Sequence, residues 1–287
     1  MKRPMAISLT KRLEQLDDFP SLPQSLHQVL SELEADGATA SSLESIIGED
    51  PMLTARILRV ANSPAYGSAK EISSVARAVT VLGFDEVRNL VVALSLSGSF
   101  SGDLGVDEFN IRQLWLHLVA TARIAQLLAQ QIPTLKPDEM FTAGLIHDLG
   151  RVLSCLYLQE EMRQIVETSR DEGLSMLESE QRQGLSHAEV GTFLAIKWGF
   201  SDLLASVVRY HHAPAGAGNH EQAAALIFLA DGITKKLGMG WDLAVDNDKL
   251  LVPRCLGLSG EAVKAAARRL HEEKEDLVNR WSQILFS

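Results

Sequence analysis

Apolar residues recur along this chain at helical spacing and almost nowhere in the strict alternation of a strand. Leu43, Ile46 and Ile47 share one face behind Ser41-x-x-Glu44, a capping-box pattern that predicts a helix start. Asp50-Pro51 reads as an N-cap followed by proline in the first turn, where its missing N–H costs nothing. The helix that follows carries Leu53, Ile57, Val60 and Ala61 on one side and is expected to stop at Asn62-Ser-Pro-Ala-Tyr-Gly67. Another is expected from Ser73 or Ser74 to Gly83, and Asp85 is expected to cap one with the stripe Val87, Leu90, Val91 and Leu94. The glycines, serines and aspartates of residues 98–109 form the clearest break and read as the joint between two helical lobes.

The second half repeats the pattern. A long helix is predicted over 110–130, closed off by Pro133 and Pro137, and Asp138 is expected to cap a helix carrying Leu145, Leu149, Val152 and Leu156. Ser186-x-x-Glu189 is a second capping box, with Gly199 ending that helix after Trp198. Ser201 or Asp202 starts another that ends at His211-His212; 213–219 reads as a loop. A strongly apolar helix over 220–237 stops at Gly238, and the last forty residues read as one or two amphipathic helices. The predicted fold class is all-α.

Composition narrows the partners. The 287 residues are 46% hydrophobic and carry a formal charge of −10, which argues against binding nucleic acid or an anionic membrane through bulk charge. The longest wholly apolar run, 223–230, falls far short of the ~20 residues that cross a bilayer. No apolar stretch of signal length follows Lys2, Arg3, Lys11 and Arg12. Two distant cysteines, Cys155 and Cys255, exclude a disulfide framework and fit a reducing compartment. A cytoplasmic protein with no membrane partner is expected.

Gly-rich phosphate loops, the G-x-S-x-G elbow and H-E-x-x-H are all absent. What remains is a scattered set: His117, His147-Asp148, His187, His211-His212 and Asp231, several of them set in apolar helical stretches. A buried carboxylate needs a cation, a hydrogen-bond network or a proton. Imidazoles and carboxylates gathered from several helices build a metal site inside a bundle, and mixed His/Asp ligation suits Fe, Mn, Zn or Ni. On a helix His147 and Asp148 would point about 100° apart and could share one ion. The same residues also read as satisfied core histidines and a carboxylate bonded to backbone, and the residue types alone leave both readings open.

The order of these residues, with Gly144-Leu-Ile-His-Asp-Leu-Gly150 at its centre, resembles the HD superfamily of metal-dependent phosphohydrolases. More closely, the chain resembles the HDOD (HD-related output domain) family of bacterial signalling proteins. Phe19-Pro-Ser-Leu-Pro23, Ile46-Ile-Gly-Glu-Asp-Pro-Met-Leu-Thr54, Arg59-Val-Ala-Asn-Ser-Pro-Ala-Tyr-Gly67, Val87-Arg-Asn-Leu90 and Trp115-x-His117 carry that resemblance. So do Ser186-His-Ala-Glu-Val-Gly191, Trp198-Gly-Phe200 and Tyr210-His-His212. The resemblance covers about residues 15–235. It implies a tail over 1–14, a helical lobe over 15–105, an HD-like lobe over 106–237 and a C-terminal extension over 238–287. It also implies an output or regulatory role through signalling partners, with input arriving in trans, since no receiver, sensor or cyclase domain is legible.

Carried over residue by residue, His117, His147, Asp148, His187, His211, His212 and Asp231 match the metal ligands of the related HD-GYP phosphodiesterases, which cleave cyclic di-GMP. Three positions depart from that pattern: Arg151 replaces the lysine after the HD pair, Ala213 replaces an acidic residue, and a short turn replaces the Gly-Tyr-Pro loop. The expectation is a degenerate HD-type pocket holding a divalent transition metal or a small ligand, with a metal-dependent phosphohydrolase as the alternative.

Overall fold

Several helices of this chain begin where a side-chain oxygen accepts from an otherwise unsatisfied amide or a proline opens the first turn. In a computed structural model the described residues are 13, 22–24, 26–28, 31, 39–63, 72–100, 106, 109–240 and 250–286. The expected motif at 19–21, the turn at 64–67, Gly102 and Gly105, and nearly all of the expected tail lie outside them. Among the described residues there are helices and turns and no strand, so the all-α expectation holds.

Among the described residues before 100 run α1 (Ala40–Gly48), α2 (Pro51–Ala61), α3 (Val75–Leu82) and α4 (Phe84–Ser99). Asp50 caps α2 as predicted, its Oδ1 accepting from Met52 N and Leu53 N at 3.0 Å each. The start of α1 differs: Thr39 is the cap and exchanges bonds with Ser42, because its hydroxyl reaches that amide one turn on. Asn62 ends α2 and clasps the chain ten residues on. Its carboxamide donates to Ile72 O and accepts from Ile72 N, both at 2.8 Å. Gly83, with φ at 88°, serves as both the end of α3 and the start of α4, so Asp85 falls inside the first turn and faces Arg88 instead of capping. α4 also runs through Gly98, so the expected break begins only after Ser99.

Helix α5 (Ile111–Ala129) is the axis of the second half and is buried along almost its whole length. Around it pack α6 (Pro137–Ile146), α12 (Glu221–Thr234) and α13 (Gly260–Phe286), in that chain order. Between them come α7 (Leu149–Tyr157), α8 (Gln159–Glu172), α9 (Met176–Gln183), α10 (His187–Lys197) and α11 (Asp202–Tyr210). Asp138 does not cap α6; Pro137 opens the helix and the Asp138 carboxylate turns to the buried Arg88 of α4. The stretch 213–219, read as a loop, is wound into tight 3-10 turns over Pro214–His220. Arg280 on α13 reaches Glu86 on α4 at 3.2 Å, tying α13 to the helices of the first half.

The single helix expected through Leu145–Leu149 is two helices that break at Asp148 (φ −106°, ψ 11°). His147 Nδ1 lies 2.7 Å from Gly144 O, within the same turn, and this side-chain bond competes for a carbonyl that would continue the helix. The flanking glycines let backbones touch. A Cβ at Gly144 would sit 2.6 Å from Ala122 Cα on α5, and one at Gly150 would run into the His187 carbonyl on α10. Leu145, Ile146, Leu149 and Val152 bury the other faces. No helix among the described residues is long and apolar enough to cross a membrane.

Candidate metal centre

All seven residues singled out from the sequence meet in the interior where α5, α6, α7, α10, α11 and α12 converge. His117 comes from mid-α5 and Asp231 from α12, while His147 and Asp148 sit at the α6–α7 break. His187 is the first residue of α10, placed by the Ser186 cap, and His211 and His212 follow the end of α11. His212 is half-buried and the other six are buried.

The ring nitrogens are oriented by acceptors behind them. His117 Nδ1 lies 3.2 Å from Met239 O, His147 Nδ1 2.7 Å from Gly144 O and His211 Nδ1 2.8 Å from Val208 O. A carbonyl only accepts, so each Nδ1 carries the hydrogen and, in a neutral ring, each Nε2 presents a bare lone pair inward. His187 Nδ1 is bonded instead to the buried Glu180 carboxylate, which also accepts from His187 N at 3.3 Å.

These inward atoms form two groups that share Asp148. In one, His187 Nε2 lies 3.1 Å from Asp148 Oδ1, 3.2 Å from His211 Nε2 and 3.1 Å from His212 Nε2. In the other, ligand atoms of His117, His147 and Asp148 lie within 4.8 Å of one another, and Asp231 Oδ1 stands 3.0 Å from His117 Nε2. His117 Nε2, His147 Nε2, Asp148 Oδ1 and Asp231 Oδ1 are buried and make no well-directed hydrogen bond, although His117 Nε2 lies 3.0 Å from Asp231 Oδ1 and His187 Nε2 lies 3.1 Å from Asp148 Oδ1. Bare acceptors facing one another in a dry interior repel unless a cation stands between them. The donor set therefore fits a divalent transition ion with N/O ligands.

Burial and charge pull the ionisable groups in opposite directions. Burial lowers His147 to about 3, against the weaker upward pull of Asp148. Burial raises the Asp148 carboxyl, but Arg151 and the nearby histidines outweigh it and hold it well below the usual range. Asp231 follows the same logic with Lys235, whose Nζ is 2.8 Å from Asp231 Oδ2. His187 is pushed down by burial and by Arg151, yet Glu180 and Asp148 together raise it.

Three participants were not singled out from the sequence as members of the site. Glu180 lies in the polar stretch Glu178-Ser-Glu-Gln-Arg182 and looks like a surface residue. It is 1% exposed because it faces both Arg151 and His187. Lys235 could have been found one helical turn after Asp231. Arg151, noted only as a departure, is itself 2% exposed and spans Glu180 and Asp148, with Nε 3.2 Å from Asp148 Oδ2.

The HDOD domain family's sequence profile matches residues 19–214 of the chain. A structure described as an HDOD domain protein of unknown function from Geobacter sulfurreducens superposes with a TM-score of 0.80 at 25% identity, covering 96% of this chain and 97% of that one. A candidate signal transduction protein from Marinobacter aquaeolei VT8 superposes with a TM-score of 0.82 at 24% identity, over 96% of this chain and 62% of that one. An uncharacterized protein of Treponema pallidum (strain Nichols) is 24% identical over 203 residues. That alignment covers 69% of this chain and 38% of the relative, so the chain spans about two-fifths of that protein's length.

Proposed function

The chain belongs to the HDOD family, and from that premise we propose that it is a signal-transduction output module working through protein partners, with a divalent transition metal ion in its HD-type pocket. His117, His147, Asp148 and Asp231 are the residues that would hold the ion, backed by Met239 O, Gly144 O and Lys235. A bound ion would supply Lewis acidity there and tie α5, α6 and α12 together.

The observation that carries the non-catalytic reading is the direction of Arg151. In the related phosphodiesterases the corresponding lysine follows the HD pair in a catalytic pocket. Here the guanidinium points inward and is consumed by Glu180 and Asp148, so it offers nothing to a phosphate arriving from solvent. The four residues that would hold the ion are also buried. Such a centre suits a structural or sensing role. The partners are signalling proteins in the cytoplasm, neither nucleic acid nor membrane, in keeping with the formal charge of −10.

The facing acceptors of His117 and Asp231 favour one competing reading, a metal-dependent phosphohydrolase. Turnover decides between them. Metal-loaded protein is incubated with cyclic di-GMP and with bis-p-nitrophenyl phosphate, beside the His147→Ala variant. The output-module reading expects no difference between wild type and variant. Metal-dependent hydrolysis that disappears with His147 would overturn it in favour of the enzyme.

A further inference from the structure

Three arginines gather on one cavity of a chain whose formal charge is −10. The cavity, about 210 Å³, lies between α2 and α13. Arg56 and Arg59 reach it from neighbouring positions on α2 and Arg280 from α13, and no acidic side chain is among the described residues that line it. The carboxylates close by are engaged elsewhere: Glu86 and Asp276 both pair with Arg280. Arg56 is half-buried and has no carboxylate partner among the described residues.

Ser63, one turn beyond Arg59, adds a second observation. Its Oγ is buried, has no hydrogen-bond partner among the described residues, and belongs to a residue of the same cavity wall. A buried hydroxyl without a partner is destabilising, and an occupant that accepts its hydrogen would relieve it. Asn62, between Arg59 and Ser63, has a structural duty in the clasp on Ile72; its two neighbours in the motif turn to the cavity instead. The apolar part of the wall comes from the buried Val60 and Ile284.

Size and chemistry define the ligand. Sites for drug-sized molecules begin near about 300 Å³, so this cavity is too small to enclose a dinucleotide. A single ring or short chain bearing one oxyanion fits, and guanidinium forks match carboxylate and phosphate oxygens in pairs. We propose that the cavity binds a small organic acid, its carboxylate or phosphate held by the arginines and Ser63 and its apolar body against Val60 and Ile284. The occupant bridges α2 and α13, and so ties the C-terminal helix to the first half of the chain. The site is separate from the His/Asp cluster and depends on neither the metal nor the output-module reading.

Phenyl phosphate and benzoate are the probes, titrated into the protein as isolated and into a metal-stripped sample. Calorimetry reads binding, and the thermal midpoint reads the stabilisation that binding brings. At least one acid is expected to bind, equally in both samples, and the tighter of the two identifies the oxyanion. Benzyl alcohol, which lacks the charge, and inorganic phosphate, which lacks the ring, bind at least about tenfold more weakly. Arg56→Gln weakens the acids about tenfold or more and Ser63→Ala by less, while Arg163→Gln on α8 changes nothing. Failure of both acids to bind would overturn the proposal. So would equal binding of the alcohol or of inorganic phosphate, binding lost on metal removal, or affinity unchanged in both Arg56→Gln and Ser63→Ala. If Arg56→Gln does not fold, Ser63→Ala and the probe series decide.

Discussion

His117 and His187 occupy matching places in the two groups of the cluster, and both have Nδ1 engaged by an acceptor. Behind His117 stands a neutral carbonyl, Met239 O at 3.2 Å; behind His187 stands the Glu180 carboxylate. The carbonyl holds the hydrogen on Nδ1, and Nε2 faces Asp231. The carboxylate instead ties His187 into a charged chain running from Glu180 through Arg151 to Asp148. Residue types repeated in one pocket thus give a metal-ready group and an ionic network. What differs is the partner on the far side of each ring.

Removing the partner that separates the two groups has the largest expected effect. Glu180→Ala leaves Arg151 buried beside a single carboxylate, and breaking such a pair costs about 3–5 kcal/mol; urea unfolding of metal-free protein reads it. Metal bound per folded chain stays unchanged if the His117 group is independent of the network. Next comes Gly150→Ala, which forces α7 away from α10 and His187 away from Asp148. The clash is with backbone, so the loss falls near the upper end of overpacking, about 3 kcal/mol, read by thermal melting.

Lys235→Met strikes the other group. It strips Asp231 of its ammonium and lowers metal-free stability by about 1–3 kcal/mol. Bound manganese supplies the missing charge, so the deficit shrinks in loaded protein; a deficit that is equal with and without metal would place Asp231 outside the ion's reach. The smallest effect is expected from Asn62→Ala, which opens the clasp on Ile72 far from the cluster. It costs about 1–2 kcal/mol and leaves metal content untouched.

The fold class and most helix starts were legible because apolar spacing and capping chemistry are local. Asp50, Ser74, Asn110 and Ser201 each cap through an amide two or three residues on, a relation visible in a short window. Asp138 misled because the buried Arg88, a tertiary partner, takes its carboxylate, and Asp85 because Gly83 starts the helix two residues earlier. The break at Asp148 was hidden for a related reason: it depends on one side-chain bond, from His147 to Gly144 O. His117, His147, Asp148 and Asp231 stood out because they sit in apolar stretches, and His187, His211 and His212 join them through the family resemblance. Glu180 did not stand out, since its neighbours are polar and its burial is set by Arg151, twenty-nine positions earlier. A permanently charged residue following the HD pair in an apolar helix was the available signal that a counter-charge lay elsewhere.

The most direct test of the account is elemental analysis of untagged protein beside a His147→Ala/Asp148→Ala variant. The account predicts about one equivalent of iron, manganese, zinc or nickel in the wild type and none in the variant. Wild-type protein that is folded, metal-free and indifferent to added metal would contradict it.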